Sequence, residues 1–194
     1  MFFLYGGLKS VNANNIPKTG GAILAPNHIS YADPPAVGSA MSRQVHFMAK
    51  EELFKPAIMG KIITAVGSFP VRRGTADRKA IKQAIDLLKA GEVVCLFPEG
   101  TRSMNGKLQE PEMGIGLIAL KSGAPIVPVA VIGTDWVLPS DGRRRRRRQV
   151  IIEYGEPLTF EDLCQTGDSR QNMEEVGKRT MSAIGDLLAK YENQ

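Results

Sequence analysis

The sequence predicts an α/β fold, a single domain with a mostly parallel central sheet flanked by helices. Short apolar or β-branched stretches, bounded by Gly, Pro or Asn, alternate with longer segments of helical periodicity. Such alternation is typical of folds in which helical crossovers connect parallel strands. The 194 residues are 43% hydrophobic, which is enough for one core. We therefore expect one domain over residues 1–194.

Six strands and three long helices are predicted in order along the chain. The strand segments are short, apolar and terminated by turn residues. Helices are predicted at 77–90 and 113–122, each followed by a glycine stop, and an amphipathic C-terminal helix at about 170–191. The predicted strands are residues 22–25, 45–49, 68–71, 93–97, 126–132 and 149–154.

The positive charge of the chain is concentrated in one run. There are 25 Lys and Arg against 20 Asp and Glu, and six of the arginines form Arg143–Arg148. Without that run 19 basic residues stand against 20 acidic ones. A protein that coats nucleic acid would repeat its positive charge along elements, and this run has no aromatic residue for base stacking. We expect no nucleic-acid partner, and a polyanion-binding module using the run is the alternative.

Cysteine content and apolar runs predict a cytoplasmic protein, for which any membrane contact would be peripheral. Two cysteines are too few for a disulfide framework at this length. Met1–Tyr5 is apolar but lacks the positive region and cleavage site of a signal peptide. The longest strongly apolar run, Ala124–Gly133, is well short of the roughly 18 residues that a spanning helix needs.

A histidine and an aspartate follow the first predicted strand. His28 would emerge at a sheet edge, and its side-chain type suits a base near neutral pH. Asp33 precedes Pro34-Pro35, which predicts that a helix starts there with the aspartate as its cap. One carboxylate oxygen could cap the helix while the other accepts the Nδ1–H of His28, which would leave Nε2 free. A purely capping role for Asp33 is the alternative.

A serine or cysteine nucleophile to complete a triad is not evident in the sequence. There is no G-x-S-x-G elbow, and neither cysteine has a context that suggests activation. We therefore expect the reacting hydroxyl to come from the substrate. A His–Asp pair can deprotonate an acceptor alcohol that attacks an activated acyl group.

The segment after the Val93 strand has the composition of a phosphate site. Arg102 offers a planar fork for phosphate oxygens, Thr101 can donate beside it, and Gly100 allows close approach of the main chain. Glu99 would repel phosphate, so we expect it to hold a substrate hydroxyl or to orient the arginine. A polar surface turn is the alternative interpretation of this segment. Lys50 and Arg72 follow two other predicted strands, and solvated surface charge is the alternative interpretation of each.

Four blocks in this order resemble those of the glycerolipid acyltransferases, most closely the bacterial-type 1-acyl-sn-glycerol-3-phosphate acyltransferases. Asn27-His28 with Asp33 resembles the NHxxxxD motif, and residues 97–103 match the FPEGTRS block. Residues 67–73 resemble the second block and residues 126–129 the apolar fourth block. The resemblance covers about residues 16–158 and implies the same α/β fold.

The resemblance implies a role for each matching residue. His28 would be the general base and Asp33 its orienting partner. Glu99 and Arg102 would bind the glycerol phosphate, with Arg72 helping to hold the phosphate. Three further groups complete the implied site, namely Lys50 as a second cation, Gly100 and Thr101 beside the arginine, and Val127, Pro128 and Val129 on the acyl side.

The implied reaction transfers an acyl group to the sn-2 hydroxyl of lysophosphatidate. The donor would be acyl-CoA or acyl carrier protein as co-substrate, and we expect no cofactor and no metal. Glycerol 3-phosphate, another lysophospholipid or an amino-acid lipid is an alternative acceptor. An anionic membrane surface at the inner face is an expected partner, and Arg143–Arg148 could contact that surface, an acidic carrier protein or only solvent.

Overall fold

A computed structural model describes residues 7–72, 77–138, 149–164 and 169–191. Two short 3-10 helices, Ala13–Asn15 and Glu51–Phe54, accompany the regular elements. The strands are β1 (Leu8–Val11), β2 (Ala22–Pro26), β3 (Val45–Lys50), β4 (Phe69–Val71), β5 (Val93–Cys95), β6 (Ile126–Ile132) and β7 (Val150–Tyr154). The α-helices are α1 (Asp33–Ser39), α2 (Ala57–Ala65), α3 (Arg78–Lys89), α4 (Met113–Ser122), α5 (Thr134–Val137), α6 (Glu161–Cys164) and α7 (Arg170–Ala189).

The strands form one seven-stranded sheet in the order β1-β7-β6-β2-β5-β3-β4. All neighbouring strands are parallel except β6 and β7, which are antiparallel. The predicted α/β fold with a mostly parallel sheet is therefore confirmed. Because β2 and β5 are adjacent at the centre, the loops that leave their carboxyl ends lie side by side.

Both faces of the sheet are covered by helices, so the central strands are buried on both sides. Leu24 of β2 packs in the same cluster as residues of α1. Ile23 and Ala25, its neighbours in the strand, point to the other face and pack with residues of α3, α4 and α7. This burial explains why the central strands are continuous apolar runs without alternation.

The six predicted strands and the three long predicted helices are all present. The sequence analysis did not predict β1 or α2. In β1 the two middle residues are exposed and its outer edge is unpaired among the described strands, so its sequence has no strong strand pattern. Cys95 is fully buried within β5, as its apolar context predicts, and burial raises the pKa of its thiol.

The C-terminal end of α7 is attached to the sheet through one buried carboxylate. Lys190 Nζ donates to Glu153 at 2.8 Å, and the Tyr191 hydroxyl donates to its other oxygen. Burial alone would raise the pKa of Glu153, but these two hydrogen bonds hold that pKa below its usual value. Because the folded-state pKa is lowered, the stabilisation is present above the unfolded-state pKa and is lost as the pH falls through the folded-state value.

We expect Glu153→Gln to lower the free energy of unfolding at pH 7 by about 1–3 kcal/mol, because it removes a charge-assisted hydrogen bond from a buried site. For a chain of this size that corresponds to a fall in Tm of roughly 2–4 °C per kcal/mol. Thermal unfolding of both proteins between pH 7 and pH 3 checks this. The difference should shrink in acid, and a constant difference across that range would contradict the account.

Candidate active site

The two polar loops that the sequence predicts separately meet above the centre of the sheet. The backbone N–H of Ser103, after β5, donates to the His28 carbonyl, after β2, at 2.8 Å. In return the His28 N–H donates to Glu99 Oε1 at 2.9 Å. The two loops are thus joined by hydrogen bonds in both directions and hold the histidine between them.

His28 is held on its ring edge and on its ring face. Its Nδ1 lies 2.7 Å from Asp33 Oδ2, and its ring stacks on Phe97 with centroids 4.0 Å apart. The residue is 5% exposed, and its Nε2 makes no hydrogen bond with a described residue. Because the aspartate oxygen is an acceptor, Nδ1 carries the proton and Nε2 presents a lone pair. This is the arrangement of a general base.

Asp33 is fully buried, and its carboxylate turns back toward the β2 loop. Its Oδ2 accepts the backbone N–H groups of Ile29 at 2.7 Å and Ser30 at 2.8 Å, in addition to the imidazole. Its Oδ1 accepts the hydroxyl of Thr134, which follows β6. The carboxylate that contacts His28 is therefore itself held in place by donors from two loops.

The helix predicted at Asp33 is present, but the predicted capping role is wrong. Asp33 is itself the first residue of α1, and Ala32 occupies the cap position without a side-chain hydrogen bond. The carboxylate accepts N–H groups that precede the helix rather than those of its first turn. Pro34 supplies no N–H in that turn, which lowers the need for a cap.

Asn27 has a structural role that the sequence analysis missed. Its Nδ2 donates to the Val131 carbonyl at 3.0 Å, and its Oδ1 accepts the Val131 N–H at 2.7 Å. The side chain thereby takes the place of the next pair of backbone hydrogen bonds between β2 and β6. This double hydrogen bond fixes the point at which the chain leaves the sheet, one residue before His28.

Glu99 connects the loop after β2 with the segment that contains Gln109. Its Oε2 accepts the N–H of Gln109 at 3.1 Å, while its Oε1 accepts that of His28. Burial raises the pKa of Glu99, and these backbone donors partly offset the rise. The carboxylate is 4% exposed and bonded to the backbone on both oxygens. Its contact with a substrate glycerol stays a prediction.

Arg102 is held beside the histidine loop by an aromatic ring. Its guanidinium carbon lies 3.6 Å from the ring centroid of Tyr31, a cation–π contact. Gly100 has φ +65°, and a Cβ there would lie 2.7 Å from Glu112 Cγ, so this turn requires glycine. Thr101 is exposed next to it. Arg102 and Thr101 therefore lie at the carboxyl edge of the sheet, as His28 does, and we call this edge the rim of the site.

Lys50 and Arg72 lie at the carboxyl ends of β3 and β4, on the β5 side of the sheet centre. Lys50 Nζ is 3.2 Å from Glu52, and Arg72 Nε is 3.8 Å from Asp77. Both side chains are exposed, at the same sheet edge as the histidine loop. Their binding to a substrate phosphate stays a prediction.

The acyl-side candidates lie inside the sheet. Val127 and Val129 are fully buried in β6, and Pro128 between them is buried as well. An open groove of about 760 Å³ lies at the carboxyl end of β6. In the sheet order, β6 is on one side of β2 and its histidine loop, and β3 and β4 are on the other. An acyl-pocket role for the three buried residues stays a prediction. The groove is lined by Ile29, Ser103, Leu108, Val131, Trp136 and Leu188, among others.

The arginine run Arg143–Arg148, which is a candidate partner surface, and the apolar segment Met1–Tyr5 lie outside the described residues. Within the described ranges no helix is long and apolar enough to cross a bilayer. No group of three or more His, Cys, Asp or Glu side chains in those ranges could hold a metal ion. The expected absence of a metal or cofactor stays a prediction.

Comparison with known proteins agrees with the geometry. Residues 7–132 match the model of the family described as Acyltransferase. The chain belongs to the acyltransferase family. The resemblance inferred from the motifs is thereby confirmed, and the matched region contains His28, Asp33 and the whole FPEGTRS block.

Several acyltransferases are similar to this one. The 1-acyl-sn-glycerol-3-phosphate acyltransferase of Bacillus subtilis is 36% identical over 165 residues, covering 83% of this chain and 78% of its own. The enzyme of that name from Streptococcus pneumoniae is 32% identical, covering 85% and 60%. The lyso-ornithine lipid O-acyltransferase of Pseudomonas aeruginosa is 28% identical, covering 77% and 64%. This acyltransferase thus spans under two thirds of the latter two proteins.

A solved structure shares the fold over nearly the whole chain. The crystal structure of the 1-acyl-sn-glycerophosphate acyltransferase of Thermotoga maritima superposes with a TM-score of 0.75 at 28% identity. The match covers 98% of this acyltransferase and 76% of that chain.

Proposed function

We propose that this acyltransferase transfers an acyl group from an acyl thioester to the sn-2 hydroxyl of 1-acyl-sn-glycerol 3-phosphate, forming phosphatidate for phospholipid biosynthesis. The observation that carries the proposal is the His28–Asp33 pair. It is buried and oriented, and its Nε2 forms no bond with a described residue. The names of the Bacillus and Streptococcus relatives support lysophosphatidate as the acceptor.

The geometry supports direct transfer. His28 Nε2 removes the proton of the acceptor hydroxyl as its oxygen attacks the thioester carbonyl carbon. A C–O bond forms, the C–S bond breaks, and the imidazolium returns the proton to the departing thiolate. Asp33 stabilises the imidazolium through Nδ1. The products are phosphatidate and the free thiol of the carrier, either coenzyme A or acyl carrier protein, and no further cofactor is required.

The cations at the rim would bind the acceptor phosphate. Arg102 is the main candidate because Tyr31 holds it beside the histidine loop. Lys50 and Arg72 would approach from the β3 and β4 side, with Glu99 fixing the loop that carries the arginine. The enzyme would work peripherally at the inner face of the membrane, where its lipid acceptor is found.

A different acceptor is the second candidate. The lyso-ornithine lipid acyltransferase of Pseudomonas aeruginosa is 28% identical to this chain, and the acceptor in its name is an amino-acid lipid. A histidine base recognises a hydroxyl and not the headgroup beside it, so the catalytic pair is compatible with either acceptor. The rim cations favour a phosphate.

The acceptor is tested by thiol release from a long-chain acyl-CoA and, separately, from acyl carrier protein, with the product identified by mass. We expect release with lysophosphatidate and little or none with lysophosphatidylcholine, lyso-ornithine lipid or glycerol 3-phosphate. Faster release with lyso-ornithine lipid than with lysophosphatidate would replace the proposed acceptor.

We expect Arg102→Ala to raise the KM for lysophosphatidate by about 10–100-fold, because a charge-assisted hydrogen bond contributes about 1.5–3 kcal/mol. The kcat at saturating acceptor should change much less, since His28 and Asp33 are untouched. Steady-state kinetics with the acceptor varied measure both parameters. Lys89→Ala, an exposed change at the end of α3, is the matched control. An unchanged KM would remove Arg102 from the phosphate site.

A further inference from the structure

The helix α2 presents large apolar side chains to solvent. At about 100° of rotation per residue, four of them share one face of about 100°. They are 49–79% exposed, whereas surface helices normally turn such residues inward. We name this surface the α2 apolar face, and it consists of Ile58, Met59 and Ile62 of the helix together with Val66, the C-cap residue that follows it.

The helix α2 packs through a small residue on the side opposite the α2 apolar face. Gly60 is the buried residue of the helix. A Cβ on Gly60 would lie 2.5 Å from the carbonyl oxygen of Phe54, so the helix rests directly on the backbone of the preceding 3-10 helix. Because the close contact requires glycine, the orientation of α2 is fixed by packing. The outward direction of the α2 apolar face follows from it.

The charges around the α2 apolar face are positive. Between Lys55 and Val71 the only charged residues are Lys55 and Lys61, and no acidic residue occurs. Both lysines are exposed, and neither forms a salt bridge with a described residue. The nearest acidic residues, Glu51 and Glu52, precede the helix and face Arg72 and Lys50 at 4.0 and 3.2 Å. The surface is therefore apolar with cationic flanks.

The position of α2 connects this surface to the candidate phosphate site. The helix lies within the connection from β3 to β4. That connection leaves β3 after Lys50, at the carboxyl edge of the sheet, and enters β4 at Phe69, at the opposite edge, because the two strands are parallel. The 3-10 helix Glu51–Phe54, on which α2 rests, stays at the carboxyl edge, where Glu51 is 4.0 Å from Arg72 and Glu52 is 3.2 Å from Lys50. A surface that holds the α2 apolar face would therefore lie next to the 3-10 helix that contacts Lys50 and Arg72, the candidate phosphate ligands.

We propose that the α2 apolar face docks on an anionic lipid bilayer and brings the rim of the site to the membrane surface. The proposal rests on the proposed function, because lysophosphatidate and phosphatidate are themselves bilayer lipids. A nine-residue helix is about 13 Å long at about 1.5 Å per residue, which suits a helix lying in the interface and cannot span. Lysines flanking an apolar helix face match lipid headgroup phosphates and are typical of interfacial helices.

A second copy of the chain fits this surface less well. Two α2 apolar faces brought together would also bring together Lys61 of each copy, with no acidic residue between Pro56 and Val71 to offset the charge. An anionic bilayer removes that repulsion, because its headgroups supply the missing negative charge.

The test is co-sedimentation of the full chain with vesicles, comparing the wild type with Ile58→Glu/Ile62→Glu. With vesicles of phosphatidylglycerol and phosphatidylcholine, we expect the double substitution to lower the partition coefficient at least about tenfold, because two apolar side chains are replaced by acids. Lys61→Gln should lower binding to these vesicles by about fivefold and leave binding to pure phosphatidylcholine unchanged. Met113→Glu, an exposed methionine on α4, is the control and should bind as the wild type does.

Binding and catalysis are read separately, so the two proposals fail separately. Thiol release with a short-chain lysophosphatidate below its micelle concentration should be nearly unchanged in the double variant, which also shows that it is folded. Equal vesicle binding by the wild type and the double variant would overturn the docking proposal and leave the function intact. A dimer that the double substitution dissociates, without a change in vesicle binding, would assign the face to a second copy. Vesicle binding through α2 without lysophosphatidate-dependent release would instead overturn the proposed function.

Discussion

Replacing His28 with alanine is expected to lower kcat by about 10³–10⁴-fold, because it removes the base that accepts the proton of the attacking hydroxyl. The KM for lysophosphatidate should change little, since the candidate phosphate contacts lie on other residues. The imidazole is buried between Asp33 and Phe97, and no other described side chain contacts Asp33 Oδ2 in its place. Steady-state thiol release over a range of acceptor concentrations measures both parameters.

The control for this substitution is a measurement that the variant is folded. His28 is joined to both loops by its backbone, through Glu99 and Ser103, and alanine keeps those hydrogen bonds. The far-UV circular dichroism spectrum should therefore be unchanged and the Tm should fall by only a few degrees. A well-folded alanine variant with more than about a tenth of the wild-type kcat would exclude His28 as the base.

Asp33→Asn is expected to lower kcat by about 10²–10³-fold, with the KM values close to those of the wild type. The amide oxygen can occupy the position of Oδ2 and keep the hydrogen bonds from His28, Ile29 and Ser30. The neutral amide cannot stabilise the imidazolium that forms as the hydroxyl loses its proton. The amide nitrogen takes the place of Oδ1 and cannot accept the Thr134 hydroxyl, so the effect combines the lost charge with the loss of that hydrogen bond. Single-turnover kinetics measure the effect on the chemical step.

Thr134→Val is the matched control for Asp33→Asn. It removes the hydrogen bond to Oδ1 and leaves the contact between Nδ1 and Oδ2 in place. We expect a loss of kcat of less than about tenfold, with some loss of stability because a buried hydrogen bond is removed. If the valine variant loses as much activity as the asparagine variant, the carboxylate acts through the packing of its loop and not through its charge.

Much of the fold could be predicted from the sequence because its central strands are buried on both faces. Continuous apolar runs such as Ile126–Ile132 identify such strands directly. The edge strand β1 has half-exposed residues and no such run. The helix α2 was missed for a related reason. Its large apolar residues face solvent, so the pattern of a helix that packs on a core is absent.

The residue types of the site could be predicted, but several of their partners could not. His28 and Asp33 are close in sequence, and the structure brings them together as the spacing predicts. The capping prediction failed because local sequence does not show that the aspartate turns back to the preceding N–H groups. The contacts of Glu99 with His28 and Gln109 join distant segments, which no local pattern indicates.

The measurement that tests the central claim most directly is thiol release from an acyl thioester by the wild type and by His28→Ala, with lysophosphatidate present or omitted. The account predicts release that requires lysophosphatidate, yields phosphatidate by mass and nearly disappears in the variant. Release that is equal without an acceptor would make the protein a thioester hydrolase. Lysophosphatidate-dependent release that persists in the variant would contradict the assignment of His28 as the base.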